Sequence, residues 1–396
     1  MTGPVPDHPA VQAVTEVCHM LREYDIMQVP NLKIHGRIAE KTSPLPLFWT
    51  HSGIEVNCTG SELWVDVECD YGFHEIWVAG EVNRALMFRQ MLMPGKNSIC
   101  LFRSMQPGVS KNVRFYRELQ AMSDNPEMHL EVTGLRTDGE FLPVTEKKYR
   151  FEFIGDSITS GEGSYGARED TEWLAMYMSS SRTYVNLIER MMDADCRSIS
   201  QGGWGIYISW DNNRSHNIPR IYSKVCGLAA GPVNAAHGAQ QEYDFTSWIP
   251  DAIVINLGTN DACSFNMPGM EVEGYGFCKS RTNEDGSMNA EDLGSIEDAV
   301  YGFLKLLRAK NPSSLLLWAY GLMGNEMEPT IRRGMDRYRA ETGDTNVDYL
   351  PLPDTTPAKI GAHSHPGFFA HLDAAKVIAG YLGNRFGAEV DEDILL

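Results

Sequence analysis

Two different rhythms of hydrophobic and polar residues divide this chain. From about Leu32 to Lys148, short apolar runs alternate with polar residues at a period of two. Glu62-Leu-Trp-Val-Asp-Val-Glu68 and Met128-His-Leu-Glu-Val-Thr133 show it best, and this is the pattern of half-buried strands. Gly53–Asn57, Glu75–Ala79 and Val113–Tyr116 are further short runs, set apart by Gly, Pro, Asn and Asp turns. Together they predict a β-sandwich of about a hundred residues.

From Tyr149 the rhythm changes to strands alternating with helices. Phe151–Ile154, Arg197–Ser200, Asp251–Gly258, Ser314–Tyr320 and Val347–Leu352 read as strands. Thr183–Met192 and Gly367–Phe386 read as helices, and a third helix puts Ile296, Ala299, Val300, Phe303, Leu304 and Leu307 on one face. That alternation predicts a parallel sheet covered on both sides, an α/β domain. Ahead of both parts, Val11–Leu21 has the spacing of a short amphipathic helix. The expected organisation is a helical segment over 1–25, a β-sandwich domain over 26–148 and an α/β domain over 149–396. The length of 396 residues suits two or three domains of ~150 residues each. Residues 263–293, rich in Gly, Met, Asn and Glu without clear period, read as a loop that shapes a site or as a surface insertion.

Charge and composition narrow the partners. Net charge is −19, from 34 basic and 53 acidic side chains, so the chain repels phosphate backbones and nucleic acid is not an expected partner. No apolar run approaches the ~20 residues that cross a membrane, and the first residues lack the basic and apolar regions of a secretory signal. Eight cysteines lie scattered with no CxxC pair, which argues against a zinc ribbon or a compact disulfide framework. A cytoplasmic protein without metal or organic cofactor is the expectation. The sequence carries no signal for oligomeric state.

The chemistry is concentrated where strands end. The apolar run Phe151–Ile154 closes in Gly155-Asp156-Ser157, followed by small residues. A serine there lies at the carboxyl edge of the sheet, where open α/β sheets hold ligands. Three further segments share that edge: Gln201-Gly-Gly-Trp-Gly205, Gly258-Thr-Asn-Asp261 and His363-Ser-His-Pro366. A serine hydroxyl needs a base to become a nucleophile, and His365 is the candidate, with His363 and His371 as rivals. Attack on an ester creates an oxyanion, for which the N–H groups of Ser157 and Gly203 and the Asn260 amide are candidate donors. Gly202 and Gly205 are alternatives to Gly203. Asp156 reads as a structural residue that accepts N–H bonds in the turn. Trp204 and Trp318 are candidate sugar-binding rings, as is Trp210.

Gly-Asp-Ser, an isolated Gly, Gly-Thr-Asn-Asp and a late His-Pro, in that order, resemble the four blocks of the SGNH, or GDSL-type, hydrolases. The Gly-Trp-Gly form of the second block and the preceding β-sandwich are similar to carbohydrate esterase family two. The segments 31–37, 47–54 and 59–63 resemble the opening of that family's N-terminal jelly roll. This resemblance spans about residues 30–385. It implies a three-layer α/β/α catalytic domain and a serine esterase that removes O-acetyl groups from plant polysaccharide-derived oligosaccharides of xylan or mannan type. It gives Ser157 as nucleophile, His365 as general base, and Gly203 and Asn260 as oxyanion donors. One position departs from the superfamily pattern: an aspartate normally stands three residues before the histidine to orient it, and here that residue is Ala362. A backbone carbonyl of the Pro357–His363 loop is the first candidate for the orienting group, and Asp354 the second. A general carboxylesterase or lysophospholipase, and a non-catalytic glycan-binding protein, are the alternative readings.

Overall fold

The computed structural model describes residues 20–393. The helix expected over 11–21 falls outside them except for Met20 and Leu21, which are not helical. Within the segment expected to precede the sandwich, Arg22–Asp25 is a strand. It hydrogen-bonds along His129–Thr137, so β pairing begins before residue 26.

The N-terminal part is built from two antiparallel sheets. One runs Arg22–Asp25, His129–Thr137, Leu63–Asp70, Gly95–Phe102. The other runs Phe141–Leu142, Gly53–Cys58, Lys111–Arg117, Trp77–Val82, Ala85–Met91. The alternation in the sequence explains the packing. Leu63, Val65, Val67 and Cys69 point inward, while Trp64, Asp66 and Glu68 between them are half-exposed. Their partners across the core include Ile54, Val56, Val113 and Phe115 of the second sheet.

The C-terminal part is a five-stranded parallel sheet. Its strands are β1 (Arg150–Gly155), β2 (Asp195–Ser200), β3 (Ala252–Asn256), β4 (Leu315–Tyr320) and β5 (Val347–Pro351), in the spatial order β2-β1-β3-β4-β5. Successive side chains alternate between two cores. Ile253, Ile255, Leu316 and Trp318 face α2 (Ala290–Lys310) and α3 (Glu328–Thr342). Phe151, Phe153, Val254 and Leu317 face α1 (Tyr184–Met192) and α4 (Phe368–Phe386). Because both faces are covered, the central strands β3 and β4 read as continuous apolar runs, while β1 and β2 carry buried polar residues, Glu152 and Arg197 among them. No helix of the described residues is long and apolar enough to cross a membrane.

The two parts meet around a buried charge. Glu152, in the middle of β1, is fully buried. It accepts from Arg197 Nε at 2.6 Å, from the Tyr222 hydroxyl at 2.6 Å and from Arg37 Nη2 at 3.1 Å. Arg37 comes from the N-terminal part and is itself buried, its other nitrogen donating to the carbonyls of Tyr222 and Lys224. Burial alone would raise the Glu152 carboxyl, but Arg197 and Arg37 outweigh it and hold the group at about 2.

Replacing Glu152 by Gln strands two buried guanidinium groups, and we expect a loss of about 3–5 kcal/mol in urea unfolding. Since the folded carboxyl lies near 2 and its ordinary value is 4.5, this contribution is whole above about pH 4.5 and is lost as pH falls toward 2. An unchanged unfolding midpoint in E152Q contradicts this role.

Candidate active site

Strand order reverses between β1 and β3, so loops leaving their carboxyl ends part and open a crevice. Ser157 stands at that point. It is the first residue of a one-turn helix, Ser157–Ser160, capped by Asp156, whose Oδ1 accepts the Ile158 N–H at 3.0 Å. At the first helical position, the Ser157 N–H has no acceptor within the helix.

His365 reaches the serine from a loop more than two hundred residues away. Its Nε2 lies 2.9 Å from Ser157 Oγ, and its Nδ1 lies 2.7 Å from the backbone carbonyl of His363. That carbonyl belongs to the Pro357–His363 loop, the first of the two expected orienting groups. Asp354 is elsewhere, accepting from the Gly324 N–H. The loop presents its carbonyl through a contorted backbone: His363 and Ser364 both adopt positive φ, 51° and 55°. Such values are strained for residues with a side chain. The loop also seats closely on the turn after the serine. A Cβ on Gly163, at φ 72°, would come within 2.3 Å of the Ala362 carbonyl oxygen and 2.7 Å of His365 Cβ. Glycine is what allows that approach.

Glu162, five residues beyond the serine and just past its one-turn helix, was not singled out from sequence. Its carboxylate is buried, 2.6 Å from His363 Nδ1 and 3.6 Å from His365 Nε2. Burial pushes its carboxyl up, yet the neighbouring imidazoles His365 and His363 prevail and hold it below the ordinary range. The hydrogen bond to Glu162 in turn raises His363. The only sequence signal for Glu162 is an acidic residue set between two glycines in the same block as the serine. His371, the other rival, is a packed residue of α4. It accepts from the Tyr184 N–H at 3.3 Å, and burial pushes it down to about 3.

The glycine block is pinned from both sides. Gly202 donates its N–H to Gln120 Oε1 at 2.7 Å, a side chain from the N-terminal part. Gly205 packs against Asp261 and is not in the wall of the cavity. Gly203 is in the wall, and its N–H has no hydrogen-bond acceptor among the described residues. Its φ of 79°, and the 2.9 Å that would separate a Cβ from Trp210 Cδ1, keep the position free of a side chain. Asp261 accepts the N–H groups of Ile206, Tyr207 and Ile208 at 2.9, 2.9 and 3.2 Å. Burial pushes its carboxyl up to about 6, against the pull of those three bonds.

Asn260 also lines the cavity. Its Nδ2 donates to Asp156 Oδ2 at 3.1 Å and to the Trp204 carbonyl at 3.0 Å. Asp156 is thus a structural acceptor for both its own turn and Asn260, and burial pushes its carboxyl up to about 7. Both amide hydrogens are engaged in this state, so donation to a third oxygen requires sharing one of them.

Ser157, His365, Gly203 and Asn260 line one cavity of about 740 Å³. Gln120, Met122, Ser123 and Asp124 of the N-terminal part form one wall, and Cys263, Asn266 and Met267 form part of another. Of the two tryptophans assigned to the substrate, Trp204 lines the cavity and Trp318 does not. Trp318 is fully buried in the core beneath α2 and α3, its Nε1 donating to the Leu257 carbonyl at 3.2 Å. As a mid-strand side chain of a doubly covered sheet, it points into a helix layer and cannot touch a ligand. Trp204 lines the cavity but is 7% exposed, with one face stacked on His216 at 4.8 Å. Trp210 also lines it and is 46% exposed.

This geometry can be set beside known proteins. Residues 151–369 match the GDSL-like lipase/acylhydrolase family. The structure of an acetyl xylan esterase (Est2A) from the rumen bacterium Butyrivibrio proteoclasticus is 47% identical, with a TM-score of 0.91, over 93% of this chain and 99% of that one. A family two carbohydrate esterase from Clostridium thermocellum, solved with cellohexaose, shares the fold at 19% identity and a TM-score of 0.73, over 90% and 99% of the two chains. An acetylxylan esterase / glucomannan deacetylase of Cellvibrio japonicus (strain Ueda107) is 30% identical over 147 residues, 36% of this chain and 38% of that protein. The chain spans 24% and 38% of the lengths of the curated relatives it matches. The fold is that of the SGNH hydrolases, a parallel sheet behind an N-terminal β-rich domain, and the chain belongs to the GDSL-like lipase/acylhydrolase family.

Proposed function

We propose that this chain is a serine esterase that removes acetyl groups from oligosaccharides of plant polysaccharides, of xylan or mannan type. The observation that carries the chemistry is the 2.9 Å contact between Ser157 Oγ and His365 Nε2, with Nδ1 held on a carbonyl. The sugar is supported by the acetyl xylan esterase that is 47% identical along nearly its whole length.

In this reading Ser157 Oγ attacks the carbonyl carbon of the acetyl ester while His365 Nε2 takes its proton. Negative charge gathers on the carbonyl oxygen and is met by the N–H groups of Ser157 and Gly203 and by the Asn260 amide. The intermediate collapses as His365 returns the proton to the departing sugar oxygen, leaving acetyl-Ser157. Water then attacks with His365 as base again, and acetate leaves. General acid–base help of this kind contributes typically ~10²–10⁴-fold. Throughout, the His363 carbonyl accepts the Nδ1 proton, which fixes the tautomer with Nε2 free to receive. Trp210, exposed at the cavity wall, offers an apolar face to a sugar ring.

Time-resolved NMR of acetylated xylo- and manno-oligosaccharides tests this reading. We expect acetyl signals to decline with the wild type, and Ser157→Ala to lower the rate by about 10⁴-fold or more with the fold intact. Appreciable turnover by S157A contradicts the assignment. Release of simple acetyl esters, but of no sugar acetate, keeps the hydrolase and removes the sugar.

A second expectation concerns the acyl group. Ser157 is buried beneath the cavity walls, so p-nitrophenyl esters should be cleaved progressively more slowly from acetyl to butyryl to octanoyl. A preference for the longer chains favours the carboxylesterase or lysophospholipase alternative.

A further inference from the structure

We propose that Glu162, His363 and His365 form a binding site for one divalent transition-metal ion of the zinc class, and that filling it switches the esterase off.

The geometry is already close to what such an ion needs. One donor atom from each of the three residues lies within 4.8 Å of the other two. Zinc bonds of roughly 2.0–2.1 Å, arranged tetrahedrally, set neighbouring donors about 3.4 Å apart. Glu162 Oε1 and His365 Nε2 stand at 3.6 Å, near that value, and Glu162 Oε1 and His363 Nδ1 at 2.6 Å, which must widen. The widening is chemically simple: the proton that now bridges His363 Nδ1 and Glu162 leaves to solvent as the ion takes its place. Two imidazole nitrogens and one carboxylate oxygen suit zinc, copper(II) or nickel(II). Magnesium and calcium, which favour oxygen donors throughout, do not fit.

The surroundings favour a cation. Glu162 is buried, and burial strengthens its pull on a positive charge because little water screens it. Asp124 and Asp211 stand in the same cavity wall, and no lysine or arginine lines the cavity among the described residues. His363 is half-exposed, so the site can be reached through the mouth of the cavity. A fourth position falls to water or to the Ser157 hydroxyl, 2.9 Å from His365 Nε2.

The consequence follows from which lone pair the ion uses. A metal on His365 Nε2 takes the electrons that would accept the serine proton. The ion is an inhibitor here, not a catalyst. That consequence rests on His365 being the base, as proposed above; the binding site itself does not.

Calorimetric titration with zinc chloride and with magnesium chloride, on the wild type and the variants S157A, H363A and E162Q, tests both parts. We expect one zinc per wild-type chain and no magnesium. Zinc binding should persist in S157A, which separates the site from any failure of the catalytic reading. Affinity should fall at least about tenfold in H363A and in E162Q, with near-ultraviolet circular dichroism showing each variant folded. Ester hydrolysis by the wild type should fall over the same zinc range and return on adding EDTA. Absence of one-to-one binding, or affinity unchanged from the wild type in both folded variants, overturns the site. One-to-one binding that leaves hydrolysis unaffected overturns the switch.

Discussion

The site depends on a hydrogen bond that contains no charged acceptor. His365 is held between the Ser157 hydroxyl and the carbonyl of His363, two residues before it in the chain. With Ala362 where an aspartate would stand, the ring is oriented by a backbone dipole. The loop therefore has to supply with its conformation what a side chain would otherwise supply with its charge. Two consecutive residues at positive φ are the mark of that requirement, and Gly163 provides the clearance beneath them. A charge is nevertheless near. Glu162 reaches the same histidines from the serine side of the cleft, so the carboxylate and Ser157 belong to one short stretch of chain.

Buried carboxylates hold the remaining parts of the cleft in register. Asp261 gathers three successive N–H groups of the glycine block's far side. Asp156 joins the serine turn to Asn260. Glu152 fixes β1 itself to Arg197 and to Arg37 of the N-terminal part. Each is an acidic group taken out of water and matched by several donors, the condition under which burial is tolerated. The N-terminal part is thus no bystander: Arg37 braces the strand that carries Ser157, and Gln120 fixes Gly202 beside Gly203.

Much of this was legible in the sequence because it follows from short-range pattern. The central strands β3 and β4 are apolar on both faces, and the ends of all five parallel strands lie within two residues of those expected. The four loop segments converge as the topology requires. What escaped has physical reasons. Ala85–Met91 and Gly95–Phe102 form strands without clean alternation, the former because most of its residues face solvent on both sides. Glu162 and Gln120 act across the fold, and nothing local to them announces a partner. The tryptophans differ by position and not by type. Trp318 sits mid-strand under a helix layer, whereas Trp210 sits on a loop at the cavity wall, and composition does not separate the two.

The most direct test of the central claim is covalent trapping. Wild type and the H365A variant are treated with diethyl p-nitrophenyl phosphate, and the adduct is located by peptide mass spectrometry. The account predicts a single diethylphosphoryl group on Ser157 in the wild type and none in H365A over the same time. Equal labelling of Ser157 in both proteins, or an adduct on another residue in an enzyme that loses activity with it, would contradict the pairing on which the whole reading stands.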